Sequence, residues 1–390
     1  MLGRSALALG VIVGSNLFVW GGLSPTGGEP PSFLGVRGPR EVWVLAWLIA
    51  ALGIFLMRWS RPAGLLVAWA SVSAFAASLS GRLYLFVWFD TMFLAALVAW
   101  FISCRWLPAK TVLWIIVGLA LFQASWFWVQ LAGWDPIWRQ IRPSEIHWLQ
   151  RPTVWLDSNA NLAHFSSMAA PLAMAVSPWL LIPLAIPILM AMKTLPILGL
   201  CLGIVVARRW VLPGMGIFGL AVLFIGLYDP PRFAGDGVRV TVIRDSLKLS
   251  LDQPILGRGP GSFKNDFPRW LLTTDHGLGE IAVRNPETNI HNLQAKLPTH
   301  TEVFYHPSNE LVKGIFELGW PILVIVLWGV VLWVKKAVAM PKDRWRDAFA
   351  GASVAFAVTV LGYQPFVVPP LAVAGLAVWG VFDGMLKEGT

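Results

Sequence analysis

Apolar runs long enough to cross a bilayer fill almost all of this chain, and one polar island interrupts them. From about Asp229 to Ser308 there is no such run, whereas nearly everything on either side is apolar enough to sit in lipid. A segment in hydrocarbon must satisfy its backbone hydrogen bonds internally, so runs of about 20 apolar residues are read as helices. The pattern therefore predicts an all-α, polytopic integral membrane protein with one large, partly helical extramembrane loop. That loop carries nine Lys/Arg, nine Asp/Glu and four of the six histidines (His276, His291, His300 and His306). It is charged but neutral overall, and the chain's chemistry is expected there, at the membrane surface.

Composition excludes the soluble alternative. Only 13% of the 390 residues are charged, against about 25% in soluble domains, and the mean hydropathy is +0.65. Many of the 23 tryptophans, such as Trp20, Trp43, Trp47, Trp59, Trp100, Trp106 and Trp134, stand near the ends of apolar runs, where their amphipathic rings suit the interface. The net charge of +9 comes largely from short Lys/Arg clusters flanking the runs, so no nucleic acid is implied. Cys104 and Cys201 lie far apart in or beside apolar runs and imply no disulfide framework. No G-x-x-x-x-G-K-[ST], D-x-D or H-x-x-x-H pattern occurs; no cofactor and no metal are expected.

About twelve spans are expected, at roughly 4–23, 40–57, 62–80, 82–104, 110–133, 160–177, 178–193, 194–208, 210–228, 309–335, 345–363 and 366–386. Those between 160 and 208 are short and broken by Pro178, Pro183, Pro187 and Pro196, which admits kinked or re-entrant helices. The first run is read as an uncleaved span, since no A-x-A site closes it. Arg4, Arg58/Arg61, Arg105/Lys110, Arg208/Arg209 and the Lys335–Arg346 cluster follow alternate spans. The positive-inside bias puts these in the cytoplasm, with both termini, and puts the 229–308 loop and a smaller 134–160 loop outside. Three regions follow: a bundle over 1–228 (about nine spans), the loop over 229–308 and a second bundle over 309–390 (about three). Arg37, Arg40, Arg82, Arg139, Arg142, Arg151 and Lys193 fall on the outer side against the bias. Each is either an anion ligand or a cation snorkelling to lipid phosphate.

Two stretches carry a family likeness. Residues 237–263 read GVRVTVIRDSLKLSLDQPILGRGPGSF, and residues 306–324 read HPSNELVKGIFELGWPILV. In the first, Arg239 opens an amphipathic segment fifteen residues before Pro254, and the turn Pro254-Ile255-Leu256-Gly257-Arg258-Gly259 follows. In the second, the tetrad His306-Pro307-Ser308-Asn309 precedes Glu317-Leu318-Gly319. Together, in this order and in a loop between two spans, they resemble the O-antigen ligase and O-antigen polymerase superfamily, bacterial membrane glycosyltransferases that use polyprenyl-diphosphate-linked glycans. Two weaker echoes are Asn159 and Asn161 before a middle span, and Lys193-Thr194 at an outer span end, where many relatives carry Ser-Arg. The likeness covers about the C-terminal 60% of the chain. It departs from the family at Ser308, where a second His often stands, which leaves His306 and His300 both open for the histidine role.

The resemblance implies a GT-C-like fold in the bacterial inner membrane with its site facing the periplasm. The implied donor is a glycan on undecaprenyl diphosphate. The acceptor is lipid A core or another lipid-linked glycan, with a protein acceptor as a third branch, and membrane lipids surround both. Transfer would invert the anomeric centre without a metal. Arg239 is then the first choice for holding the diphosphate, because guanidinium stays charged and binds phosphate bidentately; as a plain residue it would be a solvated helix end. Arg244, Arg258 and Lys193 stand behind it, and His300, Asn309 and Asn161 complete the implied substrate contacts. His306 either takes the acceptor proton or holds the diphosphate; Ser308 or Asn309 can cap the following helix without it. Lys313 and Glu317, four residues apart in the expected 309–335 span, form either a structural pair or a substrate contact. Asp90 receives no role. Gly257, Gly259 and Gly261 either cradle a phosphate on backbone N–H groups or simply form a turn. The rival class is a transporter, flippase or non-enzymatic assembly factor for the same lipids; no internal repeat of the transporter kind is evident.

Overall fold

The computed structural model describes residues 60–79, 84–132, 159–191, 194–208, 242–263, 266–267, 270, 309–339, 341–363 and 365–388. Among these residues helix is the only regular structure, and no strand occurs. In chain order the helices are α1 (Arg61–Leu79), α2 (Tyr84–Cys104), α3 (Ala109–Leu131), α4 (Asn159–Val176), α5 (Leu181–Met190), α6 (Thr194–Arg208), α7 (242–250), α8 (Glu310–Leu318), α9 (Pro321–Ala339), α10 (Arg344–Gly362) and α11 (Pro369–Glu388). Single 3₁₀ turns, Pro178–Leu180 and Pro365–Val367, lead into α5 and α11. The expected spans 4–23, 40–57 and 210–228 lie outside the described residues.

Four described helical segments are long and apolar enough to cross a membrane: Arg61–Leu79, Ala109–Gln130, Pro321–Ala339 and Pro370–Lys387. They mark the chain as a membrane protein. On α9, Val324, Leu327, Val330, Val331, Val334 and Val338 are all exposed, an apolar face of the kind lipid covers. Starts and stops follow local chemistry. Pro108 precedes α3 in an extended conformation, and the Asp343 carboxylate caps α10 by accepting from the Arg346 N–H.

Two expected spans are corrected. The apolar run at 309–335 is not one helix: α8 ends at Leu318, Gly319 adopts φ 82°, and α9 starts at Pro321. Lys313 and Glu317 therefore belong to a nine-residue helix that precedes the crossing helix. The 178–193 run becomes a turn followed by the ten-residue α5, about 15 Å long at 1.5 Å per residue, half of what a bilayer core requires.

The described residues fall into two compact units. Residues 100–132, 159–191, 194–208 and 333–388 belong to one, and residues 60–79, 84–99, 242–270 and 309–332 to the other. In the first, α4 and α10 are central: α10 packs along α6 and α4, and α4 along α3, α5 and α6. Phe127, Phe165, Phe349 and Phe356 are fully buried there. The α6–α10 seam is built from small residues, Gly199 and Gly203 facing Gly351 and Ala355, and an added Cβ on Gly351 would collide with the Gly203 carbonyl. Close backbone approach is how helices associate without a hydrophobic gradient between them. Gly351→Leu is expected to lower stability by about 1–3 kcal/mol, the usual cost of overpacking, read as a lower melting temperature in detergent.

The second unit joins α1 and α8 around Ala70, Ile315, Leu318 and Ile322, with Trp69, Leu247 and Trp320 against them. Beside it, Val242, Leu249, Phe263, Phe267 and Phe316 form an aromatic cluster. The amphipathic helix expected over 237–252 is described from 242 and is helical to 250: Val242 and Leu249 are buried and Arg244 and Lys248 exposed, in line with the pattern, but Asp245, Ser246 and Ser250 are buried and Leu251 is exposed, against it.

Candidate functional site

The two motif-bearing stretches fold against each other. After α7 the chain turns through 251–262, and this turn docks on the C-terminal end of α8 by reciprocal backbone bonds. The Arg258 N–H donates to the Phe316 carbonyl (3.1 Å), the Gly259 N–H to that of Glu317 (2.8 Å), and the Trp320 N–H to that of Pro254 (2.8 Å). Only glycine fits at the crossing. An added Cβ on Gly257 would strike the Glu317 backbone, and one on Gly319 the Ile255 carbonyl. The span α1 completes the joint: the Ser73 hydroxyl donates to the Leu256 carbonyl (2.5 Å), and the Trp69 indole N–H to that of Leu318 (2.8 Å). Both donors lie well inside a membrane-crossing helix. Irregular backbone beside such a helix must have its polar groups satisfied by protein, and these two side chains satisfy the Leu256 and Leu318 carbonyls.

The glycine turn uses its own N–H groups. Those of Gly257 and Ser262 donate to carbonyls within the turn, and those of Gly261 and Phe263 go to the Glu317 carboxylate. A phosphate cradle would need these donors, so the turn-forming account of the glycines holds. Glu317 is buried. Burial pushes its carboxyl up to about 7, against the opposing pull of Lys313 and the two N–H groups. For Lys313, burial disfavours the charge, but Glu317, Glu310 and Asp90 outweigh it and raise the ammonium above its ordinary range. Lys313 and Glu317 thus act as a charge pair one helical turn apart.

Four of the expected site residues are described. Arg258 donates to Asp252 (2.8 Å), lies 3.6 Å from Asp266 and sits over the Phe316 ring. Two carboxylates already neutralise it, so it braces the turn. Arg244 is exposed and bonds its neighbour Asp245 (3.0 Å). Asn309 caps α8, its side-chain oxygen accepting from the Val312 N–H (3.0 Å). Asn161 belongs to the other unit, buried at the start of α4, where it accepts from the Tyr363 hydroxyl (2.6 Å). Arg239, His306, Lys193 and His300 lie outside the described residues.

Around Asn161 the structure adds partners that residue patterns had not singled out. The Tyr363 ring stacks on His164 at 4.4 Å between centroids. His164 Nδ1 lies 3.1 Å from the Thr359 hydroxyl oxygen, and that hydroxyl donates to the Ala355 carbonyl. The sequence signal was there: His164 stands three residues after Asn161, on the same helix face, and a histidine in an apolar helix is costly unless used. Among the described residues no three His, Cys, Asp or Glu side chains converge as a metal site would require.

Comparison with known proteins assigns no family: no protein-family model matches the chain, and no curated protein matches it.

Proposed function

We propose that this chain is an inner-membrane glycosyltransferase of the O-antigen ligase or polymerase type, transferring a glycan from undecaprenyl diphosphate to a saccharide hydroxyl on the periplasmic face. In this reading it has about twelve spans in a GT-C-like arrangement, both termini in the cytoplasm and an outward site. The acceptor hydroxyl oxygen attacks the anomeric carbon from the face opposite the diphosphate, with inversion. The bond from that carbon to the diphosphate oxygen breaks, and its electron pair leaves on the diphosphate. Arg239 stabilises that growing charge, and His306 accepts the hydroxyl proton.

One observation carries the reading. The motif segments around Gly257 and Glu317, whose bonded residues Phe263 and Glu317 stand 54 positions apart, interlock as one element. Arg239 precedes one arm of it and His306 the other. A likeness spread over two distant stretches carries more weight when the stretches meet.

The test is reconstitution in lipid nanodiscs with one undecaprenyl-diphosphate-linked repeat unit and no other acceptor. A ladder of longer lipid-linked glycans means a polymerase; transfer only after lipid A core is added means a ligase. Arg239→Ala is expected to slow transfer about 10²–10³-fold, as loss of one preorganised transition-state donor does. His306→Ala is expected to slow it by about 10²–10⁴-fold, the worth of a general base. Normal transfer by both variants at normal protein level would overturn the site and favour a transporter.

A further inference from the structure

We propose that the ring of Trp345 marks a binding site for an anionic phospholipid, with Lys110 and Arg344 holding the head-group phosphate. The site does not depend on the transfer chemistry. It lies at one end of the unit built on α4 and α10, where α3 and α10 begin and α4 ends. The Lys110 ammonium lies 6.0 Å from the centre of the Trp345 ring, and the Arg344 guanidinium 5.8 Å from the same centre. An Arg344 N–H also donates to the Val176 carbonyl at the end of α4 (3.1 Å). Both cations are exposed. Among the described residues neither has a carboxylate within ion-pair distance.

That last point separates this ring from the others that carry a cation. Arg105 lies over Phe101 and is paired with Asp383; Arg258 lies over Phe316 and is held by Asp252 and Asp266. At Trp345 two cations share one ring and no carboxylate answers them. Like charges brought together repel, and the negative face of a ring offsets only part of that. An anion within reach of both removes the rest. The surroundings keep the same sign. Lys342 and Arg346 flank Arg344, and Lys335 and Lys336 stand near the end of α9; against them are Asp343, which caps α10, and Asp347. Apolar surface lies beside the charge. Val334 and Val338 are exposed one turn apart on the last part of α9, and Trp106 is exposed in the corner that leads into α3. A free phosphate would answer the cations alone. A phosphate that carries acyl chains answers the apolar surface as well, and basic pockets at the ends of crossing helices are suited to such head groups.

The experiment titrates the full-length protein in detergent with phosphatidylglycerol, with phosphatidylcholine of the same chains, and with inorganic phosphate. Native mass spectrometry counts bound lipid, and the lipid-free melting temperature reports the fold of each variant. Phosphatidylglycerol is expected to bind at least tenfold tighter than phosphatidylcholine. Lys110→Gln combined with Arg344→Gln is expected to weaken it about tenfold, as loss of two cations beside a phosphate does; Gln keeps a donor for the Val176 carbonyl. Lys342→Gln changes an exposed residue outside any helix and is expected to weaken binding about threefold. Lys248→Gln, an exposed cation of the other unit, is expected to change nothing. Equal affinity for the two lipids would overturn the site. So would parent-like binding by the double variant, or by Lys342→Gln should the double variant fail to fold. A loss as large in Lys248→Gln would replace the site with general surface charge, and displacement of the lipid by an equal concentration of inorganic phosphate would replace the lipid with a free anion; either result overturns the proposal.

Discussion

Gly319→Ala and Gly257→Ala are each expected to destabilise the unit that holds α1, α7 and α8 by about 4 kcal/mol or more, from strain plus lost hydrogen bonds. Gly319 has φ 82° and ψ 173°, a region essentially closed to residues with a Cβ, where occupancy costs of order 1–3 kcal/mol. Gly257 has φ 66°. Strain is the smaller part. The new methyl groups would overlap backbone atoms of Ile255 and Glu317, which have no flexible end to swing away, so the two strands of the joint must part. Parting them breaks the bonds from Arg258, Gly259 and Trp320, and each buried group left unpaired costs about 1–3 kcal/mol. The measurement is protein level in membranes and melting temperature in detergent. Gly118→Ala is the control: it faces open space on α3 and should be neutral or stabilising by up to about 1 kcal/mol. A Gly319→Ala protein that melts with the parent would mean the joint does not exist as described.

The helices that apolar runs locate well are those bounded by local chemistry. The run expected at 110–133 is observed as Ala109–Leu131 behind Pro108, that at 62–80 as Arg61–Leu79, and that at 345–363 as Arg344–Gly362 behind the Asp343 cap. In each, a proline, charge or capping side chain stands at the boundary itself. The 309–335 run is the exception. Its apolarity continues through Leu318-Gly319-Trp320-Pro321, and the break falls at Gly319, with φ 82°, and Pro321, helix breakers that an apolar count passes over; Pro254 and Ile255 then dock against it. Hydropathy counts apolar residues and registers neither the glycine nor the docking.

The candidate site divides the same way. The burial of Val242 and Leu249, the exposure of Arg244 and Lys248, and a cap at Ser308 or Asn309, of which the structure uses Asn309, are local and readable from spacing; the burial of Asp245 and exposure of Leu251 are not. The state of Arg258 was not, since its partners Asp252 and Asp266 flank it in a turn whose path depends on α8. Glu317 was readable as one half of a pair with Lys313. Its bonds to Gly261 and Phe263 were not, because they require the two motifs to meet. Asn161 was singled out alone, while Tyr363, which bonds it, comes 202 residues later, just past the end of α10.

Arg105→Ala is expected to cost the other unit about 3–5 kcal/mol, the usual penalty for leaving one member of a buried ion pair alone. Arg105 directly follows α2 with its side chain 4% exposed, and its Nε lies 2.5 Å from Asp383 Oδ2 on α11. The guanidinium also lies over the Phe101 ring, 5.0 Å from its centre. Gly380 and Gly384 let α11 come this close, since a Cβ on either would overlap the carbonyl of Phe101 or Arg105. Truncating Arg105 therefore removes the ion-pair partner of the Asp383 carboxylate and leaves Lys387, one turn on along α11, as the cation that still acts on it. Arg105→Lys keeps the charge but not the guanidinium plane, and should recover only part of the loss. The discriminating variant is the double change Arg105→Met with Asp383→Leu. Apolar replacement of a buried pair is often neutral or stabilising by about 1–4 kcal/mol, so the double variant should melt near or above the parent while each single change melts well below it. Equal melting temperatures for Arg105→Ala and the parent would show that water or lipid headgroups reach the pair and compensate the lone charge, and that α2 and α11 are held together by their packing alone.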